Sequence, residues 1–242
     1  MAVIAIVQAK TLKMNYHAEI KIVLWKESEG ARMKTYQGID ISHWNTVTSW
    51  AKVHDDNEID FIILKAGGGD SSYAYKDPKF LQYYNACKMY EIPVGAYYYC
   101  PSSMVTSEQG IKGATEFLKM LSGLQFEMPV FLDIENTALS QKRGATDAAI
   151  AFCDHLEKRG YFVGIYSSDI SGFKERLDVK RLSRFTLWVA RYGMQPSYTR
   201  NYGIWQYSSK GIIEGIRGQV DLDVSFKNYP KIIKGGKFNG FT

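Results

Sequence analysis

Short apolar runs separated by amphipathic stretches fill the chain from Tyr36 onward. Eight of them read as strands: Gly38–Ile41, Phe61–Ala66, Val94–Tyr98, Val130–Glu135, Phe162–Tyr166, Thr186–Ala190, Gly203–Tyr207 and Val220–Val224. Helical spacing of apolar residues predicts helices over Val47–Asp55, Pro78–Tyr90, Ser107–Leu121, Thr146–Arg159 and Ser168–Leu177. Ser107 and the pair Thr146-Asp147 read as helix starts, and Gly160 after Lys158-Arg159 reads as a stop. Alternation of strand and helix predicts a mostly parallel sheet. Eight strands predict closure into an α/β barrel. Beyond Trp188 the strands follow one another too closely for full helical crossovers, so the barrel is expected to be irregular, with a reduced helix count.

Length and composition fit one sizeable domain of this kind, at 242 residues, 45% hydrophobic and 14% aromatic. Residues 1–33 fall outside the pattern and read as an N-terminal extension, with Ile20–Trp25 a candidate edge strand. Residues 34–230 read as the barrel, and 231–242 as a basic, Gly-rich tail expected to fray or to start a linker. The run Met1–Val7 is apolar but short, with no preceding positive charge and no cleavage pattern, and is not read as a signal peptide. No run is long enough to span a membrane, so no stable membrane association is expected. The net charge of +5 is scattered rather than clustered, which argues against nucleic acid and fits mild attraction to an acidic polymer. Cys87, Cys100 and Cys153 form no metal-like or paired spacing and are expected to be buried free thiols; no metal or other cofactor is indicated. Gly67-Gly68-Gly69 lacks the lysine and the spacing of a phosphate loop and reads as a flexible loop at the site.

The chemistry concentrates in Met128–Asn136. A buried strand there ends in Asp133 and Glu135, two residues apart and therefore on one face. Two carboxyls so close to an apolar wall resist ionising together, which leaves one proton donor beside one anion near neutral pH. Glycosidic bond cleavage needs that division of labour. Barrels of this type carry their chemistry at the C-terminal ends of the strands. Asp40 in the first strand, and Asp221 and Asp223 in the last, are expected at the same opening, since first and last strands adjoin in a closed barrel. Tyr97, Tyr98, Tyr99, Tyr166, Trp188, Tyr192, Trp205 and Tyr207 supply aromatic faces for sugar rings, and Gln206 a hydrogen-bonding amide, with about half of the aromatics expected to face the helices instead.

The ordered set Gly38–Trp44, Phe61–Ala66, Pro93–Tyr99, Phe131–Glu135, Trp188–Tyr192 and Trp205–Ser208 through Val220–Asp223 resembles glycoside hydrolase family 25, the Chalaropsis-type lysozymes that include phage endolysins and bacterial autolysins. The resemblance runs from about Tyr36 to Tyr229. It implies an irregular TIM-like barrel, acting on peptidoglycan glycan strands as an N-acetylmuramidase that cleaves the β-1,4 bond between N-acetylmuramic acid and N-acetylglucosamine. It implies Glu135 as general acid, Asp133 as the carboxylate at the anomeric side, and Asp40 and Asp221 as the other acidic site residues, while Asp223 stands where Asn is common. Tyr97, Tyr99, Tyr166, Trp188, Trp205 and Gln206 are the expected substrate-binding set. The expected setting is the bacterial cell wall, reached by export or by phage release, with the protein a monomer. A chitinase-like glycosidase, or a barrel that binds wall glycan without cleaving it, are the alternatives.

Overall fold

The computed structural model describes residues 34–55, 59–69 and 73–242; the extension and its candidate strand Ile20–Trp25 lie outside them. The described chain orders as β1 (Tyr36–Ile41), β2 (Thr46–Val47), α1 (Trp50–Asp55), β3 (Phe61–Gly69), β4 (Ala74–Lys76), α2 (Phe80–Met89), β5 (Val94–Tyr99), α3 (Ser107–Leu121) and β6 (Val130–Asp133). There follow α4 (Lys142–Glu157), β7 (Val163–Ser168), a π-helical turn Asp169–Lys174, β8 (Thr186–Ala190), β9 (Ile204–Gly211), β10 (Ile216–Arg217), β11 (Val220–Ser225) and α5 (Tyr229–Gly236). One nine-stranded sheet runs β1-β11-β9-β8-β7-β6-β5-β3-β4, and pairing of β1 with β3 closes it. β4 hangs on β3 as an antiparallel hairpin, so the closed part is the expected eight-stranded barrel.

All eight expected strands are barrel strands, but β11 runs antiparallel to both β1 and β9. The connection from β9 to β11 is a short hairpin carrying β10, too short for the helical crossover that a parallel strand requires. Asp221 and Asp223 therefore do not lie at a strand's C-terminal end. They lie at the start of a strand that enters from the mouth.

Local sequence accounts for the helices. In α3 the buried residues Gly110, Gly113, Ala114, Phe117 and Leu121 form one face, and Thr106 caps the start by accepting the Gln109 N–H at 3.3 Å. α4 begins at Lys142 rather than Thr146. Inside the helix the Thr146 hydroxyl donates to the Lys142 carbonyl at 2.7 Å and accepts the Asp178 N–H at 2.9 Å, so a residue that reads as a cap is satisfied in mid-helix. Gly160 has φ +81°, the left-handed turn expected after that helix. α1 is shorter than expected because Thr46 and Val47 pair with β10 instead. Gly67-Gly68-Gly69 is not a loop: it extends β3 against Tyr75 and its neighbours in β4.

The lumen is filled by Phe61, Ile63, Phe131, Tyr166, Trp188 and Ile204. Room for them comes from two glycines facing inward. A Cβ on Gly38 would stand 2.3 Å from the Phe61 ring, and one on Gly164 would stand 2.4 Å from the Phe131 ring. Tyr98 faces outward against Phe117 and Phe152 of the helical layer. Cys87, Cys100 and Cys153 are buried and free, and burial pushes their thiols up.

The tail departs furthest from expectation. It folds as α5 and closes the bottom of the barrel, with Tyr229 and Ile233 fully buried in the core and Phe238 and Phe241 packed against it. Asn239, fully buried, ties this cap down. Its Nδ2 donates to the carbonyls of Met128 at 2.9 Å and Phe126 at 3.2 Å, and its Oδ1 accepts the Phe162 N–H at 2.7 Å. It also sits at φ +54°, a conformation asparagine tolerates better than most residues. Asn239→Ala should cost at least about 2 kcal/mol, because it strands buried backbone groups at three places. Chemical denaturation checks this; unchanged stability would show that water replaces the amide without loss.

Candidate active site

The mouth is built by strand alternation. Inward-facing positions of each strand pass from apolar at the bottom to polar at the top: Phe131 to Asp133 on β6, Phe61 and Ile63 to Lys65 on β3, Gly38 to Asp40 on β1, Ile204 to Gln206 on β9. Glu135 continues the Asp133 face just beyond β6. The backbone there stays anchored after the strand ends, with Cys100 N–H donating to the Asp133 carbonyl at 2.8 Å and Ile134 N–H to the Tyr166 carbonyl at 3.0 Å. The Ser167 hydroxyl donates to the Ile134 carbonyl at 2.5 Å. The two carboxyls are thus held by β5 and β7 together.

Asp133 is buried, and Glu135 stands at the lip, open to water on one side and walled by protein on the other. Burial raises both carboxyls, and the charge of Glu135 raises Asp133 further; the Lys65 ammonium opposes both shifts. The interaction between them raises Asp133 and lowers Glu135, which favours a proton on Asp133 over one on Glu135. That tilt is toward the carboxyl opposite to the one the family resemblance implies as the acid. Two unit charges about 4 Å apart repel by about 4 kcal/mol at an effective dielectric of 20. A hydrogen bond is worth about 1 kcal/mol net, so sharing a proton is the cheaper state.

Asp40 and Asp223 form a second such pair. Burial raises both, and each is raised further by Asp221. Each accepts one firm donor: Gln206 Nε2 to Asp40 Oδ2 at 2.7 Å, and Trp188 Nε1 to Asp223 Oδ1 at 2.8 Å. The charge of Asp223 raises Asp40 further, and the second carboxyl oxygen of Asp223 is buried with no hydrogen-bond partner among the described residues. Gln206 in turn accepts the Tyr166 hydroxyl at 2.8 Å and the Tyr192 hydroxyl at 3.1 Å through Oε1. Asp221, directly opposite Asp40 in the β1–β11 ladder, is only partly buried, whereas Asp223 lies two pairs deeper, opposite Gly38, and is fully buried. Asp223 is therefore a floor residue and not one reaching toward the rim.

The structure brings together Asp40, Asp133, Glu135, Asp221, Tyr97, Tyr99, Tyr166, Trp188 and Gln206. It does not bring Trp205. One residue from Gln206 on the same strand, Trp205 faces the other way, is 4% exposed, and donates its indole N–H to the Arg191 carbonyl at 2.8 Å. Tyr207 shares that outer face. Sequence reasoning passed over Lys65, whose signal is a single lysine inside an otherwise uncharged strand, in step with Phe61 and Ile63. It also passed over Asp169. That buried carboxylate accepts Arg191 at 2.6 Å and the backbone N–H groups of Ser197, Tyr198 and Thr199, bonds that hold it below its ordinary range. The clamp fixes the segment that carries Tyr192.

With this geometry established, comparison with known proteins is specific. The sequence model for Glycosyl hydrolases family 25 matches residues 39–216, most of the chain, and the chain belongs to that family. It is 27% identical over 188 residues to an autolytic lysozyme of Clostridium acetobutylicum, covering 77% of this chain and 55% of that protein, so it spans little more than half of the relative's length. The crystal structure of the CTP1L endolysin superposes with a TM-score of 0.71 at 28% identity, covering 83% of this chain and 70% of that one. A family 25 glycosyl hydrolase from Bacillus anthracis shares the fold, with a TM-score of 0.69 at 19% identity over 84% of this chain and 93% of that one.

Burial, then the charge of Glu135, pushes Asp221 up to about 6 from its ordinary 3.8. The fold favours the protonated form, so the stability this group contributes is complete below 3.8 and is lost as pH rises through about 6. The melting temperature of Asp221→Asn relative to the parent should therefore climb between pH 4 and pH 7. Parallel curves across that window would refute the assignment.

Proposed function

We propose that this chain is an N-acetylmuramidase that hydrolyses the β-1,4 bond between N-acetylmuramic acid and N-acetylglucosamine in peptidoglycan. The observation that carries the reading is the Asp133–Glu135 pair, each carboxyl raised by burial, at the mouth of a family 25 barrel, ringed by Asp40, Asp221, Gln206, Tyr166 and Tyr192. Its similarity to an autolytic lysozyme and to an endolysin supports the same reading.

Glu135, nearest the solvent, meets the glycosidic oxygen, and Asp133 meets the anomeric carbon. As the C1–O bond breaks, its electron pair goes to the leaving oxygen and positive charge grows at C1. That charge favours the ionised form of Asp133. The pair's one proton passes from Asp133 to Glu135, and Glu135 delivers it to the leaving oxygen. Water then completes hydrolysis, and the pair regains one proton. Asp40, Gln206, Tyr166 and Tyr192 orient the sugar, while Asp221 supplies negative field at the opposite wall. Every group used comes from one barrel, which suits a monomer working at the bacterial cell wall.

Glu135→Gln should fold and lose at least ~10²-fold in wall lysis, since the amide has no proton to transfer. Turbidity loss of bacterial walls with mass analysis of fragments is the measurement. Fragments ending in reducing muramic acid support the reading, soluble chitin oligomers a chitinase, and binding without release an inactive barrel. At Asp223 the chemistry predicts a graded result. Asp223→Asn can still accept from Trp188, and should stay within a few-fold of the parent; Asp223→Val cannot and should lose at least ~10-fold. Asp221→Asn should also lose at least ~10-fold. Equal damage from the two Asp223 variants would mean that the charge, not the hydrogen-bonding pattern, is what matters there.

A further inference from the structure

Lys65 is a cation of the cleft that the mechanism above leaves unused. It is partly buried and shares the inward face of β3 with Phe61 and Ile63. Directly after it the β3–β5 register slips between Lys65 and Gly67, an irregularity that ends the regular ladder at the mouth. Its Nζ stands 4.6 Å from the centre of the Tyr99 ring and 5.6 Å from that of Tyr75, so two aromatic faces hold the ammonium in place. Tyr99 is itself fixed, because Asn136 Nδ2 donates to its hydroxyl at 2.5 Å.

The ammonium is close enough for its charge to act on both Asp133 and Glu135. Among the described residues, however, it makes no ion pair and donates no hydrogen bond. A lysine beside two carboxyls ordinarily closes onto one of them. Here the aromatic clamp holds it off, and its three N–H donors are left without a protein acceptor among the described residues. Such a clamped donor set suits an anionic or acyl oxygen brought by the substrate. Hydroxyls and acetamido groups occur on every sugar of a chitin or peptidoglycan strand. The 3-O-lactyl arm occurs on muramoyl residues alone, next to the anomeric carbon's own ring, and it ends in a carboxylate or in the carbonyl of a peptide amide.

We infer that Lys65, clamped between Tyr75 and Tyr99, determines specificity by receiving the acyl oxygen of the muramoyl 3-O-lactyl arm at the cleavage site. The inference rests on the muramidase reading and deepens it. A site with a committed ammonium donor discriminates against a sugar that leaves it unmet, so a strand of N-acetylglucosamine alone is the poorer substrate.

The test uses the full chain and glycan strands stripped of peptide, offered with free lactyl carboxylates or after methyl esterification of those carboxylates. The wild-type protein should show a KM about tenfold or more higher for the esterified strands. Lys65→Met should raise KM on the carboxylate strands by a similar factor and be indifferent to esterification, with the effect falling on KM more than on kcat. Lys65→Gln, which keeps hydrogen-bonding capacity without charge, should behave as Lys65→Met does, and Lys65→Arg should retain much of the discrimination. Melting temperatures of the three variants separate a binding defect from a packing one. Strands still carrying stem peptides, compared across the same variants, report how much of the contact survives when the acyl oxygen is an amide carbonyl. If Lys65→Met keeps its sensitivity to esterification, or only shifts the pH profile equally on both substrates, Lys65 acts solely through the Asp133–Glu135 charge and the inference is overturned. An active wild type indifferent to esterification overturns it alone. A wild type that digests neither strand overturns the muramidase reading with it.

Discussion

Five carboxyl groups crowd the mouth of one barrel, and their repulsion in a poorly hydrated space is the constraint that the surrounding structure is arranged to bear. Asp40, Asp133 and Asp223 are buried, and Glu135 and Asp221 flank them. All five carboxyls are raised, in each case by burial first. The relief comes in three forms. Neighbouring charges raise Asp133 beside Glu135 and Asp40 beside Asp223, which favours the neutral acid in each pair. Neutral donors, the Trp188 indole and the Gln206 amide, are aimed at the buried pair. One cation, Lys65, offsets charge from a distance rather than by an ion pair. A strong ion pair would neutralise the carboxyls outright; this arrangement leaves them able to exchange a proton, which is what acid catalysis requires.

Holding those groups in place falls to the far end of the same strands. The β-strand repeat forces each strand to alternate between lumen and helical layer, so three of the polar positions at the mouth stand two residues above an apolar one that anchors them: Asp133 over Phe131, Lys65 over Ile63, Gln206 over Ile204. Trp188 joins the two halves. Its ring packs on Phe131 and Tyr166 at centroid distances of 5.2 Å and 4.4 Å, and its N–H reaches Asp223. Below, α5 and Asn239 close the bottom, where apolar burial offsets the electrostatic cost at the top. A cost at the site met by a well-packed remainder is the expected balance for a fold that carries strained electrostatics.

Much of this was legible from residue order because it depends on local pattern. Strand positions follow from short apolar runs, and the shared face of Asp133 and Glu135 follows from a two-residue repeat that no tertiary contact alters. The closed barrel follows from the number of runs and their spacing, and Gly160 marks its turn by chemistry alone. What pattern could not carry was direction, parity between neighbouring runs and long-range pairing. The sense of β11 depends on a hairpin whose ends meet only in the closed sheet. Trp205 and Gln206 are both plausible site residues in sequence, yet they lie on opposite faces, and only the register against β11 and β8 says which faces the lumen. The tail Lys231–Thr242 is basic and Gly-rich, the composition of a frayed end, but Ile233, Phe238 and Asn239 have partners more than seventy residues away in sequence. Gly67-Gly68-Gly69 reads as a loop until β4 pairs with it. The sequence by itself determined which elements form and which residue types can do acid chemistry; the tertiary structure alone decided which carboxyls are buried together and raise one another, because that depends on distances and burial between strands far apart in the chain.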